Sequence, residues 1–448
     1  MEQVPNFIKG DDVKTINIGL CGLGTVGYGV YTVLKRNADL ISARAGNNIS
    51  VTHIGTRSFH ACRETKSVKI SSNVFQVAED PSIDIVVELI GGTAVAFDLI
   101  MTAIRNKKHI VTANKALIAE RGQEIFFEAE KNEVVVAFEA AVAGGIPIIK
   151  ALREGLVAND VHWMAGIING TSNFILSEMA SKKREFHDVL EEAKEKGYAE
   201  ADPSFDIDGT DAAQKLAILA SIAFSIPLQT KNIYKDGITH LQPRDITYAS
   251  ELGYAVKYLG IASQKPTGIE LRVHPALIPR TCLLSGVDDV LNAILVDCDA
   301  LGSTLFYGRG AGSEPTASSV IADLVDISRN ITTSNEGRIR PLGIKLTDIK
   351  DKKILSIEQI ETCYYLRFSM HDMPGVLSKA TSIMAEVGIS IEAIIQKEQP
   401  IGIDYVDVIV ITNTITELHL NVAIRKIEQL DTVQGDATVI RLERLDQV

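Results

Sequence analysis

No stretch of the 448 residues is apolar for long enough to cross a bilayer; the longest runs, such as Ala140 to Ile149, fall far short. The N-terminus, Met-Glu-Gln-Val-Pro-Asn-Phe, lacks the basic-then-apolar pattern of a secretion signal, so a cytoplasmic protein is expected. Cysteine is sparse. Cys21, Cys62, Cys282, Cys298 and Cys363 are odd in number, widely spaced and free of any Cys-x-x-Cys pair, which argues against a disulfide framework and against a zinc site. They read as reduced core cysteines. There is no Lys/Arg-rich block either, and a net charge of −12 disfavours nucleic acid or an anionic membrane as the main partner. What is present is 46% apolar residues without low-complexity sequence, enough for roughly two to four domains with real cores.

The first of these is legible near the N-terminus. Thr15 to Cys21 reads as a buried strand that runs into Gly22-Leu23-Gly24-Thr25-Val26-Gly27 and then a helical pattern from Tyr28 to Arg36. This is a dinucleotide fingerprint in its required context: Gly22 for the tight turn, Gly24 for close approach of the pyrophosphate, Gly27 for helix-to-strand packing. Strands at 50–56, 83–90, 109–112 and 133–140, with helices at 94–107 and 117–132, continue the alternation and predict a doubly wound parallel sheet. A ligand then belongs at the carboxyl ends of the strands, where Gly91-Gly92-Thr93 and Asn114-Lys115 fall. The second strand ends in Gly55-Thr56-Arg57-Ser58 instead of an acidic residue. Arg57 favours a 2′-phosphate and hence NADP, NAD remaining open if Arg57 is an ordinary surface residue.

Beyond Gly144-Gly145-Ile146-Pro147 the alternation stops and a second domain is expected. A strand at 161–168 leads into Asn169-Gly170-Thr171-Ser172-Asn173, either a polar turn facing a ligand or an ordinary helix cap. The segment from Gly197 to Lys215 concentrates Glu200, Asp202, Asp206, Asp208 and Asp211 before an apolar helix running from Thr210 to Phe224. Asp211 and Lys215 are i and i+4 on that helix. The plain alternative is a surface ion pair of about 0.3–0.5 kcal/mol, but the helix is so apolar that a buried edge is the better expectation. Such a cluster suits a charged small molecule. Gly308-Arg-Gly310-Ala-Gly312, ahead of a helix starting near Pro315, either admits a ligand or serves a tight turn; that helix is expected to return to the nucleotide domain.

From Cys363 the pattern reads strand, helix, strand, strand, helix, strand, at 364–370, 374–387, 390–397, 404–412, 416–430 and 437–442. That order is ferredoxin-like. The turn Asp372-Met373-Pro374-Gly375-Val376-Leu377 resembles that of an ACT domain, which implies allosteric control by a free amino acid, with plain oligomerisation as the alternative. The expected divisions are 1–147, completed by a helix at about 315–335; 148–314 for substrate binding and dimerisation; a linker at 336–358; and a regulatory module at 359–448.

Together, Gly22 to Gly27, Glu88-Leu-Ile-Gly-Gly92, Thr112-Ala-Asn-Lys115, Glu139-Ala-Ala-Val-Ala-Gly-Gly-Ile-Pro147, Asn169 to Asn173 and Gly197-Tyr-Ala-Glu200-Ala-Asp resemble homoserine dehydrogenase, in order over nearly the whole chain. The resemblance implies hydride transfer between NAD(P)H and L-aspartate 4-semialdehyde, giving L-homoserine on the route to threonine, methionine and isoleucine. It implies Lys215 and Lys115 as acid/base residues, Asp211 as the group orienting Lys215, and Glu200, Asp206 and Gly197 at the substrate. At the cofactor it implies the Gly22–Gly27 loop, Arg57, Gly92, Thr93, Lys115, Gly197 and Gly312. A monovalent cation, Na⁺ or K⁺, is implied on main-chain oxygens of Glu139, Val142, Gly144 and Ile146. Threonine is the implied effector at Asp372, Pro374, Gly375, Val376 and Leu377, and a dimer or tetramer the implied assembly. The rival readings are another NAD(P)-dependent amino-acid dehydrogenase and a non-catalytic sensor of dinucleotide and amino acid.

Overall fold

A computed structural model describes residues 14–57, 68–331, 338–396 and 404–445. Cys62 and the first residues of the expected linker lie outside them. The chain divides into two compact units, one made of 1–158, 217–229 and 308–350, the other of 159–216, 230–307 and 351–448.

In the first unit six strands are introduced in chain order: β1 (Thr15–Cys21), β2 (Asn48–Gly55), β3 (Lys69–Ser71), β4 (Ile85–Glu88), β5 (His109–Thr112) and β6 (Val136–Ala137). All pair in parallel, in the order β3-β2-β1-β4-β5-β6. The order reverses direction between β1 and β4, which places the switch point where the Gly22 and Gly91 turns leave the sheet. The strands are apolar because both faces are covered. One face packs on helices Thr25–Arg36 and Ser313–Asn330, with Val30, Leu34, Val320 and Leu324 against Ile16, Ile18 and Leu20. The first helix starts three residues earlier than the apolar pattern predicts, because Thr25 and Val26 complete its first turn at the glycine loop. The strand predicted at 133–140 shrinks to β6, since Glu139–Ala141 winds into a 3₁₀ turn.

The second unit is built on one eleven-stranded sheet. Its strands are β7 (Val161–Ile167), β8 (Tyr234–Lys235), β9 (Tyr254–Lys265), β10 (Gly268–Pro279), β11 (Leu291–Cys298), β12 (Gly302–Arg309), β13 (Glu361–His371), β14 (Ile391–Gln396), β15 (Tyr405–Thr412), β16 (Ile415–Thr416) and β17 (Val433–Leu442). The main path is β12-β11-β7-β9-β10-β17-β13-β15-β14, with β8 on β10 and β16 on β13. The last part of it, β17-β13-β15-β14 with helices Val376–Glu386 and Glu417–Glu428, is the predicted β-α-β-β-α-β module. Its sheet is continuous with the rest: Ala276 and Leu277 of β10 pair in parallel with Arg441 and Leu442 of β17.

The alternation along β13 explains how the module is seated. Tyr364, Leu366, Phe368 and Met370 point into the module's own core. Tyr365 and Arg367, from the opposite face, are also buried and bond Asp245 of helix Pro243–Glu251. Cys21, Cys282, Cys298 and Cys363 are free and buried.

Candidate active site

The nucleotide cleft forms where β1 ends. Gly22 sits at φ +99°, and a Cβ there would fall 2.5 Å from the Leu89 carbonyl oxygen. A Cβ on Gly27 would lie 2.0 Å from the Gly22 oxygen, so helix Thr25–Arg36 can start this close to the turn only with glycine. Gly24 faces open space and, at the N-cap, brings no side-chain oxygen to the first turn. The first-turn N–H groups are thereby offered to an anion. The cleft, of about 830 Å³, is bordered by Gly22, Gly24, Arg57, Asn73, Gly91 and Val95. Arg57 is exposed at its rim. Gly312, at φ +121°, caps helix Ser313–Asn330, whose Ser313 hydroxyl donates to the Thr25 carbonyl at 2.7 Å.

Glu88 organises the neighbouring turn. Fully buried, its carboxylate accepts from the N–H groups of Ile90 (2.9 Å) and Gly91 (3.2 Å) and from the Thr112 hydroxyl (2.6 Å). Gly91 and Gly92 follow with φ of +71° and +70°, and Thr93 opens the next helix. Asn114 donates to the Gly92 carbonyl at 2.6 Å and caps helix Lys115–Lys131 by accepting from Leu117 N–H. Lys115 is therefore the first helical residue at the carboxyl end of β5, half-buried, in the first unit. In the sequence Glu88 stands out only as an acid that ends a buried strand just before a Gly-Gly turn.

The second unit holds the charged cluster. Lys215 Nζ donates to Asp211 Oδ2 and to the Ile168 carbonyl, both at 2.7 Å. The two side chains are only 13% and 5% exposed, which rules out the surface ion pair. The Asn169 amide nitrogen donates to Asp206 Oδ1 (2.8 Å) and Asp211 Oδ2 (2.9 Å), while its oxygen accepts from Ser172 N–H and caps helix Gly170–Lys182. Burial pushes the Asp206 carboxyl above its ordinary range, and the bond from Asn169 opposes that. Asp202 and Asp208, by contrast, are exposed and cap the local turns at Ser204 and Thr210. Glu200 is exposed, and Gly197 ends the preceding helix in the left-handed region at φ +73°. The 169–173 turn proves to be both a helix cap and an inward-facing polar set: Thr171 donates to the Tyr198 carbonyl and Ser172 to that of Asp206.

Residues 22–139 match the NAD binding domain of homoserine dehydrogenase, residues 147–325 the homoserine dehydrogenase family proper and residues 364–432 the ACT domain. The homoserine dehydrogenase of Pseudomonas aeruginosa is 52% identical over 97% of this chain and 100% of its own length. That of Neisseria gonorrhoeae is 48% identical, with 97% and 100% covered. The chain belongs to the homoserine dehydrogenase family. The crystal structure of the Thiobacillus denitrificans homoserine dehydrogenase superposes with a TM-score of 0.92 at 53% identity, over 96% of this chain and 99% of that one. Homoserine dehydrogenases are NAD(P)-dependent oxidoreductases, and the cofactor domain, catalytic domain and ACT domain occur here in one chain.

At 139–146 the main chain folds back through Ala143 and Gly144, both at positive φ, and a Cβ on Gly144 would meet the Gly310 oxygen at 2.3 Å. The Glu139 carboxylate accepts from the N–H groups of Ile149 (2.9 Å) and Lys150 (2.8 Å), and Glu139 N–H donates to buried Asp323. Burial and the neighbouring Asp323 push the Glu139 carboxyl up to about 7. The carbonyls of Gly144 and Ile146 each accept one bond, from Ser319 and from Ile148 N–H, and a carbonyl oxygen has a second lone pair. Main-chain oxygens near the buried Glu139 carboxylate are donors of the kind a monovalent cation takes, and Lys150, 3.5 Å from Asp323, is the cation already beside them. In the ACT domain, Asp372 accepts from Gln396 at 3.0 Å and Gly375, at φ +89°, precedes the helix that begins with Val376 and Leu377. Pro374 is exposed on the same turn.

Proposed function

We propose that the chain interconverts L-homoserine and L-aspartate 4-semialdehyde with NADP(H), Lys215 donating the proton to the aldehyde oxygen in the reducing direction. The observation that carries this reading is the buried Lys215 ammonium, held by Asp211 and the Ile168 carbonyl in a chain of this family. A bound nicotinamide supplies the hydride. Negative charge then develops on the former carbonyl oxygen, and a positioned ammonium both stabilises it and delivers a proton. An ammonium has three N–H groups. Two point at Asp211 and Ile168, and the third serves the substrate oxygen. Asp206 and Glu200 receive the substrate's amino group, with Gly197 shaping the loop that carries Glu200; Lys115, opening a helix at the end of β5, shares the acid/base role.

The exposed Arg57 at the cleft rim supports NADP over NAD. Main-chain oxygens of Glu139, Val142, Gly144 and Ile146 would hold the Na⁺ or K⁺, neutralising the buried Glu139 and Asp323 carboxylates. The ACT turn from Asp372 to Leu377 would take threonine, and the assembly would be a dimer or tetramer. No described helix is long and apolar enough to cross a membrane. The free buried cysteines fit a reducing compartment such as the cytoplasm, where the reaction would feed threonine, methionine and isoleucine synthesis. The deciding measurement is the initial rate of homoserine oxidation with NADP⁺ and with NAD⁺, each with and without threonine. A higher kcat/KM with NADP⁺ and inhibition by threonine are expected; no turnover with either cofactor would sink the catalytic reading.

A further inference from the structure

We propose that Asn169 is a positioning residue of the active site, a neutral clamp that locks the substrate-binding carboxylate Asp206 to the proton-donor pair Asp211 and Lys215. The proposal rests on the roles given to those three residues under the proposed function.

An asparagine amide has two N–H donors and one carbonyl acceptor. Here one nitrogen reaches two carboxylates in two different elements: Asp206 Oδ1 at 2.8 Å, on the short helix Ser204–Ile207, and Asp211 Oδ2 at 2.9 Å, in the first turn of Thr210–Phe224. The amide oxygen takes the Ser172 N–H at 2.8 Å. This orientation is forced. Flipped, the oxygen would face both carboxylates and the NH₂ would face an N–H donor, turning all three attractions into repulsions. Asn169 is 3% exposed, so water does not replace these bonds readily.

The residue before it completes the clamp. The Ile168 carbonyl accepts from Lys215 at 2.7 Å, so residues 168 and 169, at the end of β7, hold the ammonium by one bond and its counter-ion by another. The strand lies inside the sheet, between β11 and β9, which makes it a rigid mount. A cation at position 169 would neutralise the carboxylates, and a third carboxylate would repel them. A neutral double donor orients both and leaves their charge in place.

The charged and titratable groups around the clamp are Asp206, Asp211 and Lys215, with Asp208 beyond the short helix, Tyr258 and Asp236 on the side of β9 and β8, and Lys235, which bonds Thr210. Against these, the bond from Asn169 favours the charged form of Asp206. Its loss moves the protonation of Asp206 to higher pH, and with it the acid limb of homoserine turnover.

The test compares Asn169→Ser, Asn169→Asp and Lys215→Ala in the full-length protein. Serine and aspartate both keep an N-cap oxygen for Ser172, and both lack the double donor. The clamp predicts that both variants fold, that kcat/KM for homoserine falls about tenfold to a hundredfold through kcat and KM together, with aspartate the worse, and that KM for the dinucleotide changes less than twofold. It also predicts an acid limb displaced to higher pH in Asn169→Ser. A role confined to helix capping predicts wild-type kinetics and an unmoved pH profile for Asn169→Ser, and that result overturns the proposal. Lys215→Ala separates the two levels: if it retains kcat, the proton-donor reading fails; if it is inactive while Asn169→Ser behaves as wild type, only the clamp fails.

Discussion

Replacing Arg367 by methionine should cost the second unit about 3–5 kcal/mol. Arg367 grips Asp245 through Nε to Oδ1 at 2.5 Å and Nη2 to Oδ2 at 3.1 Å, and the pair is 5% and 0% exposed. The same guanidinium donates to Gln242 and Thr438, and Tyr365 donates to Asp245 at 3.0 Å. Methionine matches most of the arginine's volume, so the loss comes chiefly from Asp245, a carboxylate left in the interior with the Tyr365 hydroxyl as a donor; buried Asp407, 3.6 Å from the guanidinium, loses a smaller share and keeps Arg244 and Tyr248. Replacing Asp245 by leucine as well removes the stranded charge, and the double variant is expected to recover most of the loss. The chain's one tryptophan makes the assay specific. Trp163 lies on β7 and is buried among Leu259, Ile278 and Leu445, so its fluorescence during urea denaturation reports the second unit. A cost below about 1 kcal/mol for Arg367→Met, or a double variant no more stable than the sum of the singles, would refute the buried-charge argument.

Gly27→Ala should weaken dinucleotide binding at least tenfold by fluorescence titration, because its Cβ would sit 2.0 Å from a backbone oxygen that cannot move without opening the Gly22 turn; wild-type affinity would show that the helix does not need this approach. Arg57→Glu should lower the ratio of kcat/KM for NADP⁺ over NAD⁺ by tenfold or more, and an unchanged ratio would remove Arg57 from cofactor choice. Lys215→Ala should cut kcat by about 10²–10⁴ while the variant still folds, with a melting temperature lowered because buried Asp211 loses its ammonium; Lys115→Ala, measured beside it, apportions the acid/base work between the two lysines.

Much of the first unit was legible because buried parallel strands announce themselves as short apolar runs ending at glycine. β1 and β5 fall where the pattern puts them, as does helix Thr210–Phe224. The failures have physical reasons. β3 has three residues and no apolar period to find. The run Val134 to Gly144 is apolar but for Glu139 and mostly buried, yet most of it is irregular; Asp323 and Ser319 supply bonds to Glu139 and Gly144 that a strand ladder would have given. At the site, the Asp211 and Lys215 spacing was readable since both lie on one helix. The bridge from Asn169 was not, because it joins residues 37 and 42 positions apart that meet only through tertiary packing.

The strand that hid most was β13. Read alone, Tyr364 to Met370 is a strand of a free-standing four-stranded module, whose second face would be left for solvent or a partner. Arg367 in the middle of such a run is the discordant residue: a lone charge among aromatics and aliphatics belongs on a wet face or beside a counter-ion. The structure supplies the counter-ion from Asp245, and β15 repeats the arrangement, with Asp407 turned away from Val406 and Val408 to meet Arg244 and Tyr248. β17 then joins β10 at its C-terminal end, through Ala276 with Arg441 and Leu277 with Leu442. Arg441, the residue at the join, bonds Glu417 within the module and the Tyr234 hydroxyl of β8 outside it. Ionic residues at the two seams, not extra apolar area, therefore fix the register in which the regulatory module is set into the catalytic sheet. A one-residue slip of β17 on β10 would separate Arg441 from Tyr234 as well as reverse the faces of the strand.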